Sequence, residues 1–122
     1  MGRLLIKTGV DFGVVLAPAG ARMLDVLKRL VASYPFDVTI TSARDGIHSG
    51  PVHANGEAFD LRTNTLTAKQ KATLLTGLRE TLYKTPRKFY AFIENPQQSN
   101  EHIHCQKRKG TTYTVLDYLD NL

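Results

Sequence analysis

The sequence predicts a single α+β domain spanning residues 1–122, an antiparallel sheet with helices mainly on one face and the functional site on the other. Three observations lead there. Four short segments (36–41, 57–62, 89–93 and 102–107) read as strands, the first of them by strict alternation. Segments opening at Pro18, Thr67 and Thr114 instead repeat apolar residues at helical spacing. Polar turns separate these elements, with no repeat, low-complexity tract or linker, and 122 residues suffice to bury a core without staples.

Residues 3–17 carry two apolar runs, Leu4-Leu5-Ile6 and Val14-Val15-Leu16, between glycines, which predicts short strands or an extended arm. Asp11-Phe12-Gly13 matches a kinase triplet, but no kinase fits this length and no companion motif is present. Proline suits a first helical turn, so a helix starts at Pro18, with Met23, Val26, Leu27, Leu30 and Val31 on one face. Tyr34-Pro35 ends it, because a residue before proline avoids helical geometry. In the strand that follows, Phe36, Val38 and Ile40 face that helix, and its exit delivers Ser42 and Arg44. Residues 45–56 form a loop, and the strand after it sets Ala58 and Asp60 on one face. Thr67 and Gln70 make a capping box for a second helix, whose buried face is Leu75, Leu78 and Leu82 and which Pro86 closes. Phe89-Tyr90-Ala91-Phe92-Ile93 is apolar on both faces and reads as a central strand. A final helix carries the stripe Val115, Leu116, Leu119 and Leu122.

Two polar clusters stand out. The stretch from His48 to Arg62 holds two histidines, an aspartate, glycines and a proline, and Glu101-His102-Ile103-His104 answers it from far along the chain. Imidazole and carboxylate donors with almost no thiol suit Zn²⁺, and three protein ligands with an open position make a catalytic rather than a structural site. A glutamate beside such a site completes a water-activating hydrolase. His102 and His104, two apart on a strand, share a face. Cys105 is turned to the other face as a small buried thiol, and His48 is a rim residue of the loop.

His53-Ala54-Asn55-Gly56-Glu57-Ala58-Phe59-Asp60 fits the pattern H-x-x-G-x-A-x-D at every fixed position. Glu101-His102-Ile103-His104 fits E-x-x-H with an overlapping H-x-H, and Thr41-Ser42-Ala43-Arg44 fits a strand end that carries an arginine near a metal. From residue 36 to residue 106 the chain thus resembles the zinc D-Ala-D-Ala carboxypeptidase family. That family includes the vancomycin-resistance D,D-dipeptidases and the L-Ala-D-Glu endolysins of bacteriophages, and its wider fold group takes in the hedgehog signalling domain. The resemblance implies one Zn²⁺ held by His53, Asp60 and His104, with Gly56 turning the backbone between the first two. It implies Glu101 as general base and Arg44 as the cation that steadies the oxyanion of peptide hydrolysis, with His102 assisting that charge or orienting substrate. Strict alternation would turn Glu101 away from His102 and His104, so its role requires that it belong to the turn; Glu94, across that turn, is the competing base. The chain departs from the family at Pro51, where a serine is usual (Ser49 lies two residues earlier), and in having no tryptophan.

The implied function is zinc-dependent hydrolysis of a peptide bond in the bacterial peptidoglycan stem peptide or its D-Ala-D-Ala terminus. One alternative is a zinc-containing, catalytically inactive domain that binds cell wall or protein. A basic nucleic-acid-binding domain is the other, and no helix-turn-helix or aromatic-interleaved basic motif supports it. The net charge of +5, dense at Arg87-Lys88 and Lys107-Arg108-Lys109, favours anionic partners, among which nucleic acid, an acidic membrane face and the bacterial cell wall all qualify; peptidoglycan is the partner the resemblance implies. No apolar run approaches a membrane span, and the first residues are too weakly apolar for a secretory signal. The expectation is a monomer made in the cytoplasm, either released to the wall in the manner of a phage-type lysin or retained as a cytoplasmic dipeptidase. A single cysteine excludes an internal disulfide.

Overall fold

The computed structural model describes residues 1–13, 16–44, 55–82 and 88–121. Pro18 opens helix α1 (Pro18–Ser33), where its missing N–H costs little because first-turn amides have no intrahelical acceptor. Met23, Val26, Leu27 and Val31 form its buried stripe. The chain leaves through Tyr34 in extended geometry (φ −92°, ψ 153°), as the following Pro35 requires. In helix α2 (Ala68–Leu82) the capping box is reciprocal. The Gln70 amide donates to Thr67 Oγ1 at 3.1 Å and the Thr67 amide donates to Gln70 Oε1 at 2.9 Å. Its buried residues are Leu74, Leu78 and Leu82, so the stripe begins one residue before the expected Leu75, which packs at its margin. Gly77 is where the two helices approach closely, since a methyl group there would overlap the Tyr34 hydroxyl.

Five strands, β1 (Leu4–Ile6), β2 (Val38–Ser42), β3 (Ala58–Arg62), β4 (Phe89–Glu94) and β5 (His102–Lys107), form a sheet in the order β1-β2-β3-β5-β4. The α+β class holds, but the sheet is mixed rather than antiparallel throughout. β1 runs parallel to β2, with Leu4 opposite Val38 and Ile6 opposite Ile40, while the other pairs are antiparallel. Parallel neighbours need a crossover that returns the chain to the same end of the sheet, and α1 supplies it. A second correction concerns Phe89–Ile93, expected as a central strand: β4 lies at the sheet edge among the described residues. Its two apolar faces do different work. Phe89 and Ala91 enter the core, whereas Tyr90 and Phe92 lie on the opposite face beside His104.

The core fills the space between the sheet and both long helices, where Phe59, Leu61, Ile103 and Cys105 meet Met23, Leu27, Leu74 and Leu78. Alternation then directs Asp60, His102 and His104 to the face away from those helices. Helix α3 (Val115–Asp120) starts with a capping box between Thr114 and Asp117, but its expected apolar stripe does not face the core. Val115, Leu116 and Leu119 are 61%, 72% and 52% exposed, and Tyr113 and Tyr118 make the core contacts instead. Leu122 lies outside the described residues. No helix among the described residues is long and apolar enough to cross a membrane.

Gly20 ties α1 to the start of β3. A methyl group there would overlap the Gly56 carbonyl oxygen and lie 3.1 Å from Leu16, and Gly56 itself needs the left-handed region at φ +73°. Backbone cannot step aside as a side chain can. Gly20→Ala is therefore expected to destabilise the fold by ~1–3 kcal/mol, despite alanine's helix propensity. The check is a lower urea midpoint at unchanged slope.

Candidate metal centre

Pairing register builds the site. On β5, His104 lies between Asp60 of β3 and Phe92 of β4, and His102 lies between Arg62 and Glu94. Asp60 and His104 are each 8% exposed and His102 is half-buried. One ligand atom from each of Asp60, His102 and His104 lies within 4.8 Å of the other two, so the three can hold a metal ion.

Hydrogen bonds around the rings fix which nitrogens face inward. His102 Nδ1 is 2.9 Å from the Asn100 carbonyl, which can only accept, so this nitrogen carries a proton and donates it. Its Nε2 then faces Glu94 Oε1 at 3.0 Å and Asp60 Oδ1 at 3.5 Å. For His104 the deciding partner is Gln106. The Gln106 amide nitrogen donates to the Lys107 carbonyl at 3.0 Å, which leaves Gln106 Oε1 facing His104 Nε2 at 2.7 Å as an acceptor. Nε2 must therefore carry the proton, and Nδ1 faces Asp60 Oδ1 at 2.9 Å. With neutral rings, two nitrogen lone pairs would be aimed at carboxylate oxygens. A proton between nitrogen and oxygen removes that repulsion, and so does a metal ion. The outward N–H groups bonded to carbonyl oxygens are the outer support that metal-binding histidines ordinarily have.

The electrostatics agree. Burial, the largest single influence, lowers the His104 pKa, but hydrogen bonds to Asp60 and Gln106 and the charges of Asp60 and Glu94 outweigh it, so the net shift is above the ordinary 6.5. A raised folded pKa makes this group's contribution to apo stability complete at acid pH and lost as pH rises through the shifted value. Metal binding has the opposite sign, because the ion must displace that proton. Metal affinity is thus expected to fall as pH drops from neutral toward the ordinary imidazole range, as titrations at stepped pH would register. Gln106→Leu removes the acceptor that orients His104, and is expected to weaken metal binding by ~10–100-fold in the same titration.

Of the residues expected from the motifs, Asp60, His102 and His104 come together. His53 lies outside the described residues, as do His48, Ser49 and Pro51. Glu101 is not in the cluster. Its carboxylate accepts from Lys71 Nζ at 2.9 Å and from the Gln97 amide at 2.8 Å. The Gln97 bond, then Thr63 and Lys71, hold its pKa down from 4.5 to about 2. Glu94 is the carboxylate beside the cluster, 3.0 Å from His102 and 4.0 Å from His104 Nδ1, with its side chain 43% exposed.

Arg44 stands just past Ser42, whose register partner is Asp60. Its amide donates to the Asp11 carbonyl at 2.6 Å, and a methyl group on Gly13 would overlap its guanidinium. The Gly13 amide donates to Asp11 Oδ1 at 2.7 Å and Gly13 sits at φ +84°, so the Asp11-Phe12-Gly13 triplet is the turn that seats Arg44. Cys105 faces the core, 3.6 Å from the Phe59 carbonyl, and burial pushes its thiol up to about 12, which removes it as a ligand. Gln106 had no signature of its own in the sequence, although its position two residues after His104 places it on the same face. Comparison with protein-family models, with curated proteins and with solved structures found no match to this chain.

Proposed function

We propose that the chain is a zinc-dependent peptidase acting on the stem peptide of bacterial peptidoglycan or its D-Ala-D-Ala terminus. The observation that carries the metal-dependent part is the convergence of His102 Nε2, His104 Nδ1 and Asp60 Oδ1 with their outward nitrogens already committed to carbonyl oxygens. Two imidazoles and one carboxylate are a donor set that suits Zn²⁺. The substrate class is supported by the motif resemblance, which also adds His53 to the donors. When bound, such an ion polarises a peptide carbonyl and makes water a nucleophile near neutral pH.

The chain's own groups divide the remaining work. A general base needs a proton affinity near the working pH. Glu101, held at about 2, is poorly suited; its bonds to Lys71 and Gln97 make it an anchor for the turn between β4 and β5. Glu94, at the open edge of the cluster, is placed to take a proton from water and pass it to the leaving amine. Arg44, seated against Gly13 two residues past Ser42, the register partner of Asp60, supplies charge for the oxyanion.

The test is digestion of purified peptidoglycan by zinc-loaded protein, with fragments read by mass spectrometry. Glu94→Gln is expected to cut at least ~100-fold more slowly with zinc content unchanged. Glu101→Gln is expected to keep the chemistry and lose stability at neutral pH, with the deficit against wild type shrinking as pH falls from 4.5 toward about 2, because a lowered carboxylate pKa stabilises the fold fully above 4.5 and less below it. Loss of cutting in Glu101→Gln alone, with folding and zinc intact, would return the base to Glu101. No fragments from any zinc-loaded preparation would leave an inactive metal-holding domain.

A further inference from the structure

The turn between β4 and β5 carries a group of the metal centre at each end, Glu94 before it and His102 after it, 3.0 Å apart. Its local structure holds it weakly. Asn95 and Gln97 sit in the left-handed region at φ 52° and 63°, which side chains disfavour. Within the turn, the Gln98 amide donates to the Asn95 carbonyl at 3.1 Å and the Glu101 amide to the Gln98 carbonyl at 3.0 Å. A backbone of this kind persists where its surroundings over-determine it.

Glu101 supplies those surroundings. One carboxylate oxygen accepts from the Gln97 amide at 2.8 Å and the other from Lys71 Nζ at 2.9 Å. Its carbonyl accepts from Thr63 Oγ1 at 3.0 Å. The ion pair is largely out of water, with side-chain exposures of 9% for Glu101 and 24% for Lys71. Lys71 closes the first turn of α2, its amide donating to the Thr67 carbonyl at 2.9 Å. A cation there opposes the helix dipole, and no acidic residue of that turn offsets it. The charge is misplaced for its own helix and suited to Glu101. One residue before Glu101, the Asn100 carbonyl receives the His102 Nδ1 proton.

We propose that Lys71 is a positioning residue for the metal centre, fixing the β4–β5 turn through Glu101 and thereby the placement of His102 at the cluster. This rests on the metal-binding part of the proposed function and not on peptide hydrolysis. Charge and position make opposite predictions for Lys71. By Coulomb's law alone an ammonium repels a metal cation, so removing it would tighten metal binding. As a positioning residue its loss weakens binding, because the ion must then order a loosened His102.

The test compares full-chain wild type, Lys71→Met and Lys71→Arg. Zinc titration gives the affinity, and NMR of the metal-free protein gives the rate at which the His102 Nδ1 proton exchanges with solvent. Lys71→Met, which keeps the aliphatic stem, is expected to bind zinc ~3–10-fold more weakly, less than the loss of a ligand's direct partner causes. Its His102 proton should exchange at least ~10-fold faster, while the His104 Nε2 proton, held by Gln106, keeps its wild-type rate. Lys71→Arg should restore both values, since a guanidinium still meets the carboxylate. Gly20→Ala, destabilised elsewhere, should lower the unfolding midpoint and leave the His102 exchange rate unchanged. Zinc bound as tightly or more tightly by Lys71→Met, or a His102 proton exchanging at the wild-type rate in that variant, would overturn the assignment. A wild type that takes up no zinc would remove the metal reading, and a loosened His102 proton in Lys71→Met would still establish the clamp.

Discussion

His104→Ala is expected to abolish stoichiometric metal binding, with affinity reduced by well over ~100-fold, more than loss of an outer-shell partner causes. The residue contributes in three ways. Its Nδ1 is one of the cluster's inward donors. Its ring bridges Asp60 Oδ1 and Gln106 Oε1 in a buried position, at 2.9 and 2.7 Å. Its face meets Phe92. Removing it leaves a buried carboxylate and a buried amide oxygen each short of a donor, which costs about 1–3 kcal/mol apiece where water cannot replace it. Apo stability should therefore fall together with metal affinity. His102→Ala should separate the two effects. Its ring is more exposed and its partners, Glu94 and the Asn100 carbonyl, lie nearer water, so metal loss should come with a smaller change in chemical denaturation measured in chelator.

Phe59→Ala is expected to be the most damaging of the core changes, at about 3–5 kcal/mol, a large part of the 5–15 kcal/mol available to a domain. Phe59 is fully buried and follows the strand direction that turns Asp60 to the opposite face. Phe12 meets its ring edge-on at 5.5 Å, and its carbonyl accepts from the Cys105 thiol. The cavity would therefore open directly behind the metal cluster, between β3 and the turn that seats Arg44. Denaturant unfolding should register the loss. Zinc should recover part of the midpoint, since a ligand that binds only the folded state stabilises it by mass action. Phe59→Leu, which keeps most of the volume, should lose far less.

The two predictions draw on opposite faces of the sheet, from the paired strands β5 and β3, and both faces were legible in the letters. Period-two alternation placed Asp60 with Ala58 and His102 with His104, because a strand leaves a side chain only two directions. Capping residues at Thr67 and the Tyr34-Pro35 stop were equally readable, being local. What the letters withheld was decided by distant contacts. Leu4–Ile6 is too short to show a period, and its parallel pairing depends on where α1 returns the chain. Phe89–Ile93 read as central because both faces are apolar, whereas one face serves the core and the other lines the site. Lys71, thirty residues before Glu101, pairs with that side chain, a contact that no local pattern announces. Glu94 is left beside the histidines because β4 pairs in the register that sets it opposite His102. The stripe Val115, Leu116 and Leu119 faces outward because Tyr113, edge-on to Phe89 at 5.1 Å, and Tyr118 take the core positions of that segment.

Histidine side-chain nitrogen NMR, recorded before and after one equivalent of Zn²⁺, tests the metal centre most directly. The tautomers fixed by Asn100, Gln106 and Lys107 predict that His104 Nδ1 and His102 Nε2 shift on metal addition, while the protons on His104 Nε2 and His102 Nδ1 stay in place. Spectra in which these two nitrogens do not respond to zinc, or in which the opposite ring nitrogens bind it, would contradict the account.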